Sequence, residues 1–194
     1  MNIPSTSFWE FSTNIYHKPG VERALLMLQQ RFGVDVNMLL LCCWAARFRH
    51  LRLPAGGIGD LVGLVDVWQA DVVRPLRRLR HKLRSRQAGV LSDSAEALGE
   101  RILDLELDAE RIEQSFLESE LPRHGVAMRP EEIRRGMAEN LASYLRHEAV
   151  ESDFEVTEYL ITLMTAVFDI GAEDAKSLWQ QVAASSARSK EVAA

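Results

Sequence analysis

Apolar residues recur three and four positions apart along most of this chain, a spacing that predicts helices almost throughout. Ser7 and Glu10 have capping-box spacing, and Phe8, Trp9, Phe11, Ile15 and Tyr16 supply an aromatic-rich first helix. Pro19 suits the first turn of a second helix. That helix carries Val21, Leu25, Leu28 and Phe32 on one face and stops at Gly33. Asp35 opens a third helix, VNMLLLCCWAARF, apolar around nearly its whole circumference, as expected of a helix at the centre of a bundle. Arg47, Arg49, His50 and Arg52 come next, where cations complement the C-terminal end of the helix dipole. The segment LPAGGIG then reads as a break and a flexible connection.

From Asp60 the pattern resumes at Leu61, Leu64, Val65 and Trp68. Pro75 falls inside its continuation, so either the helix kinks near Asp71 or Asp71 caps a new one. Val72, Leu76, Leu79 and Leu83 form the apolar side of the next stretch. After the loop QAGVLSDS, the positions Ala95, Leu98, Ile102, Leu105, Ala109, Ile112 and Phe116 alternate three and four apart, with Leu107 and Leu117 beside them. That is a narrow coiled-coil-like seam, about 28 residues and roughly 42 Å long. A second break, LPRHGVAMRP, comes near Leu121, and Pro130, Glu131 and Glu132 start a helix bearing Ile133, Met137, Leu141, Tyr144 and Leu145. Two more helices are expected, Phe154 to Ile170 and a short Asp174 to Ala184, before a fraying SSARSKEVAA. No strand pattern and no internal repeat appears. The expected fold is all-α, a single-domain bundle of about seven or eight helices with a central apolar helix. A long charged helical hairpin spans about 72–121, the domain covers 1–171, and a short helix and tail occupy 172–194.

Charge sharpens the hairpin. From Val72 to Arg86 every formal charge is positive: Arg74, Arg77, Arg78, Arg80, Lys82, Arg84 and Arg86. From Asp93 to Glu120 ten acids stand against only Arg101 and Arg111. Glu96, Glu100, Asp104 and Asp108 sit four apart, where like charges destabilise a helix by roughly 0.2–0.5 kcal/mol per pair, so cations alongside relieve them. Overall the 194 residues are 47% hydrophobic and 26% charged with a net charge of -5, ordinary for a soluble globular protein and unlike a general nucleic-acid binder. No basic start followed by an apolar run marks a secretory signal. The longest apolar run, Met38 to Ala46, is too short for a bilayer. A cytoplasmic protein with no membrane partner is expected. Cys42 and Cys43, adjacent in an apolar run, read as buried thiols in a reducing compartment.

Three motifs carry a resemblance. They are an FW-x-FS start (Phe8, Trp9, Phe11, Ser12), a Y-x-x-PGV turn (Tyr16, Pro19, Gly20, Val21), and G-x-DVN-x-LL-x-C-x-W (Gly33, Asp35, Val36, Asn37, Leu39, Leu40, Cys42, Trp44). With Trp68, Val73, Pro75, Leu76 and Arg77, these make residues 8–170 resemble an uncharacterised, conserved hypothetical family found mainly in proteobacteria. The resemblance implies an all-helical bacterial cytoplasmic protein and brings no activity with it.

Candidate chemistry is sparse. Asn37 is a polar residue on an apolar helix, and a buried amide without partners costs about 1–3 kcal/mol. It either orients a ligand or, more plainly, bonds neighbouring backbone. Cys42 and Cys43 have no flanking base to make a nucleophile. His17, His50, His81, His124 and His147 are scattered without metal-ligand spacing, and AGGIGD lacks the lysine of a P-loop. Asp60, Asp66 and Asp71 do not form a close DDxxD pattern, although Asp66 beside Trp68 could line a polar pocket. No catalytic residue, metal site or cofactor is expected. Two functions are compatible with these residues. The first is a non-catalytic interaction or regulatory protein that binds an acidic protein or nucleic acid through Arg74, Arg77, Arg78, Arg80, Lys82 and Arg84. The second is a small-molecule binder or enzyme with a pocket between helices near Trp9, Asn37, Trp44, Asp66 and Trp68. The seam from Ala95 to Phe116 serves either the hairpin or a homodimer, the dimer being preferred.

Overall fold

The computed structural model describes residues 6–84 and 92–192, without the side chains of 92–93 and 186–192. Arg86, most of the QAGVLSDS loop and the last two residues of the tail lie outside the described residues. The fold is an all-α single-domain bundle. Helix α1 (Phe8–Tyr16) starts at a complete Ser7/Glu10 capping box. Helix α2 (Val21–Phe32) runs between two left-handed glycines, Gly20 (φ 79°) and Gly33 (φ 72°), a backbone conformation glycine adopts without steric cost. Helix α3 (Val36–Arg49) begins where the Asp35 carboxylate accepts the Asn37 N–H, and its residues Asn37 to Ala46 are all buried. It packs chiefly along α7 (Ile133–His147) and also meets α1, α2 and α8 (Phe154–Phe168). The central position read from its all-round apolarity is thus its position in the bundle.

The glycine-rich segment is not a loop. Ala55–Trp68 is helix α4, entered from Pro54. Gly57 presses against the end of α6 (Ser92–His124), where a Cβ would stand 2.2 Å from the His124 carbonyl oxygen. Close helix approach, not flexibility, explains a glycine there. Nor does Asp71 cap a new helix. A π-helical turn, Gln69–Val73, carries α4 without interruption into α5 (Arg74–Arg84), with the Arg74 N–H donating to the Gln69 carbonyl five residues back. The break in LPRHGVAMRP is present but starts later than Leu121, because α6 continues through Pro122 to His124 and only residues 125–129 leave the helix.

The charged hairpin is therefore longer than 72–121. One arm is α4, the π turn and α5, and the other is α6. They run antiparallel, with Leu83 beside Gly99, Arg77 and Arg80 on Glu106, Gln69 on Glu113, and Asp60 3.4 Å from His124. The seam of α6 is split. Ala95, Ile102 and Ala109 are buried in the hairpin, while Leu98, Leu105, Ile112 and Phe116 remain substantially exposed. The inward line instead takes in Glu106 and Glu113 and ends on Leu117 and Leu121. On the basic arm Val73 is buried and Leu79 exposed.

A short antiparallel ladder not anticipated from the residues pairs β1 (Leu51–Arg52) with β2 (Val126–Ala127). Asn140 on α7 holds it: its Oδ1 accepts the Leu53 N–H, and its Nδ2 donates to the carbonyls of Cys42 and Leu51. The last helix, α9 (Ala172–Val192), is longer than Asp174 to Ala184 and buries Ala175, Trp179 and Val182 against α7 and α8. Cys42 and Cys43 are free and buried, and burial raises both thiols above their ordinary pKa.

Candidate functional site

Four buried polar side chains converge where the start of α3, the π turn and the middle of α6 meet. Asn37 stands one residue inside α3, so its side chain leaves the first turn toward α6. Its Nδ2 donates to Glu113 Oε1 at 3.0 Å, and its Oδ1 accepts from Gln114 Nε2 at 2.7 Å. Gln69 opens the π turn and donates from Nε2 to Glu113 Oε2 at 2.8 Å. All four side chains are buried. The extra residue of a π turn rotates the remainder of the helix by about 100°, and such turns are found frequently at functional sites. Here Gln69 lies on the hairpin's inner line and the Arg77 guanidinium farther along does too.

Burial, together with the charge of Asp35, pushes the Glu113 carboxyl up to about 8. Burial also raises Asp35, against the backbone N–H groups of Asn37 and Met38 that favour its ionised form. Tyr144, from α7, accepts the Asp35 N–H on its hydroxyl at 2.9 Å, and burial holds its pKa above the ordinary phenol. One floor up the hairpin, Glu106 accepts Arg77 Nε at 2.8 Å and Arg80 Nε at 2.6 Å, while Arg77 also reaches Glu110. Burial opposes the Glu106 charge, but hydrogen bonds from Arg80 and Arg77 outweigh it and hold the carboxyl below its usual range. In Glu110 burial wins over Arg77 and the pKa rises.

Beside the junction lies a cleft of about 40 Å³ lined by Gly33, Asp35, Met38, Asp66, Gln69, Arg74 and Tyr144 among others. That volume holds a few waters and falls far below the several hundred Å³ of a small-molecule pocket. The five pocket candidates do not share it. Asp66 lines it. Asn37 is bonded into the junction. Trp44 is fully buried, stacked on Phe8 with ring centroids 5.4 Å apart, its Nε1 donating to the Thr6 carbonyl. Trp68 donates from Nε1 to the Ala109 carbonyl across the hairpin. Trp9 lies beneath the Arg111 guanidinium on the surface of α6. Of the partner candidates, Arg77 and Arg80 are taken up by Glu106 and Glu110, Arg74 borders the cleft, and Arg78, Lys82 and Arg84 are exposed. Among the described residues, no group of three or more His, Cys, Asp or Glu is placed to hold a metal ion, and no helix is long and apolar enough to cross a membrane.

Residues 7–117 match the sequence model of a family described as protein of unknown function, DUF2390. The chain belongs to that family. The matched span takes in α1 to α5 and most of α6, so it contains Asp35, Asn37, Gln69, Glu106, Glu113 and Gln114 and stops before α7. No curated protein and no solved structure matches the chain.

Gln69, Glu113, Gln114 and Asn140 did not stand out in the sequence. The one signal for Glu106 and Glu113 is their spacing of seven, parallel to Ala95, Ile102 and Ala109 and close beside the apolar line at each repeat. A polar residue at a repeated seam position marks where two specific helices must meet.

Proposed function

We propose that this protein is a non-catalytic interaction protein that binds an acidic partner on the solvent side of the basic helix α5. The observation that supports this reading is the division of labour among the α5 cations. Arg77 and Arg80 are spent inside the hairpin on Glu106 and Glu110, while Arg78 and Arg84 stand exposed on the same helix with no ion pair among the described residues. Guanidinium groups so presented suit carboxylates or phosphates, and the internal pairs keep the helix from rearranging when a partner arrives. Both Glu113 oxygens and both ends of the Asn37 amide are bonded within the junction, with Gln114 Oε1 left without a partner among the described residues, which argues for a register device of the hairpin rather than for a reaction centre.

The test is affinity capture of the tagged chain from its native cell at low and moderate salt, with mass analysis of bound macromolecules and small ligands. An acidic protein, retained at low salt and lost both at moderate salt and in the variant Arg78→Glu/Arg84→Glu, is the expected result. A small ligand recovered equally from both chains would favour the second reading, in which the cleft bounded by Asp66 and Arg74 opens to admit it.

A further inference from the structure

The hairpin has one flank that none of the described residues covers. On α6, Leu98, Leu105, Ile112 and Phe116 fall within a strip about 40° wide at 100° per residue. On the other arm Leu64 and Leu79 lie on the matching flank, with Leu76 and Leu83 half-buried beside them. The six exposed residues are each between 42% and 57% accessible, and the four on α6 share one strip, which marks an apolar face rather than a scatter of single side chains. The rest of the bundle sits on the opposite flank, where Gly59 faces His147, the Phe8 N–H is bonded to Glu118, and Trp9 lies against Arg111. The two arms are antiparallel. A rotation of the same sense about each axis therefore brings both apolar lines to the same side of the hairpin.

Charge says what the face meets. Its rim on the α5 side is basic, at Arg78 and Lys82, and its rim on the α6 side is acidic, at Asp104 and Asp108, all four exposed. A basic edge and an acidic edge at equal heights on one face make the face complementary to a copy of itself. We propose that the acidic partner of α5 is the α6 helix of a second copy of this chain. Two hairpins pack face to face about a two-fold axis parallel to the arms, each basic arm lying on the partner's acidic arm, with the two bundles on the outside. The other two-fold arrangement, basic arm on basic arm, sets like charges together and is rejected on that ground. The face is about 27 Å long and two helices, roughly 20 Å, wide, so the pair buries on the order of 1,000 Å², at the threshold for a specific dimer. This inference rests on the interaction role proposed above but identifies its partner.

Light scattering of the full chain over a concentration series, with circular dichroism in parallel, tests it. The wild-type chain should be a dimer, and Leu105→Glu should raise the dimer dissociation constant by about tenfold or more while leaving the helical signal unchanged. Arg78→Glu/Lys82→Glu should weaken the dimer, as should Asp104→Lys/Asp108→Lys. All four substitutions in one chain should restore it, because the swapped edges are again complementary. A wild-type chain monomeric at every concentration overturns the inference while leaving a heterologous acidic partner open to the capture experiment. A dimer that the four-fold swap fails to restore, in a chain of unchanged helicity, overturns the proposed orientation.

Discussion

Glu113 makes the stability of this protein depend on pH in a direction opposite to that of an ordinary ion-paired carboxylate. In the unfolded chain it titrates near 4.5, and in the folded chain near 8. Between those values the folded state holds a proton that the unfolded state has released. The contribution of Glu113 to stability is therefore fully present below about pH 4.5 and falls as pH rises, until the folded carboxyl also ionises near 8; Glu106, held below its usual range, acts in the opposite sense at acid pH. Each unit of pH within the window costs about 1.4 kcal/mol, so the whole transition weakens the fold by several kcal/mol. Asp35, also raised, acts in the same sense. Glu113→Gln removes the titrating group and keeps the shape. Its oxygen continues to accept from Asn37 Nδ2, and the Gln69 amide turns to present its own oxygen to the new NH₂. The variant should be less stable than or equal to wild type at pH 5 and more stable at pH 8, with that part of the slope gone. Urea unfolding monitored by circular dichroism from pH 5 to 8 measures both slopes. Parallel slopes in the two proteins would refute the assignment of the titration to Glu113.

Ile102→Asp should cost about 2–5 kcal/mol, because the side chain is buried between the arms, whereas Ile112→Asp should cost within about 0.5 kcal/mol of nothing in monomer stability. Thermal melts at low concentration separate the two. Gly57→Ala should destabilise by about 1–3 kcal/mol despite its better helix propensity, since the added carbon meets the His124 carbonyl rather than open space; Gly56→Ala, which meets nothing within 4 Å, should be neutral or stabilising. Cys42 and Cys43 should resist alkylation in the native protein at pH 8 and react promptly in denaturant, and rapid native labelling of either would contradict their burial.

Much of this molecule was decided locally and could be read from the residues. The Ser7/Glu10 box, the stop at Gly33, the Asp35 cap and the wholly buried Asn37–Ala46 run act within one or two turns of helix. Their consequences do not depend on what packs nearby. The opposite charges of α5 and α6 likewise implied that the two helices meet, because the like charges along each need relief.

The tertiary structure was needed for everything that depends on who the neighbour is. Gly56, Gly57 and Gly59 look like a loop until a second helix passes close enough that only a missing Cβ fits at Gly57. Pro75 is compatible with a kink or a cap, and only the match of Gln69 to Glu113 and of Arg77 to Glu106 selects a π turn, which shifts the register of the whole basic arm. An apolar seam seven residues in period fits any helical partner. The structure assigned Ala95, Ile102 and Ala109 to the hairpin and left Leu98, Leu105, Ile112 and Phe116 outside, because the ion pairs on Glu106 turn α6 about its own axis. Periodicity records that a face is apolar; the rotation of the helix, set by a few buried polar contacts far apart in the chain, decides how much of that face is covered.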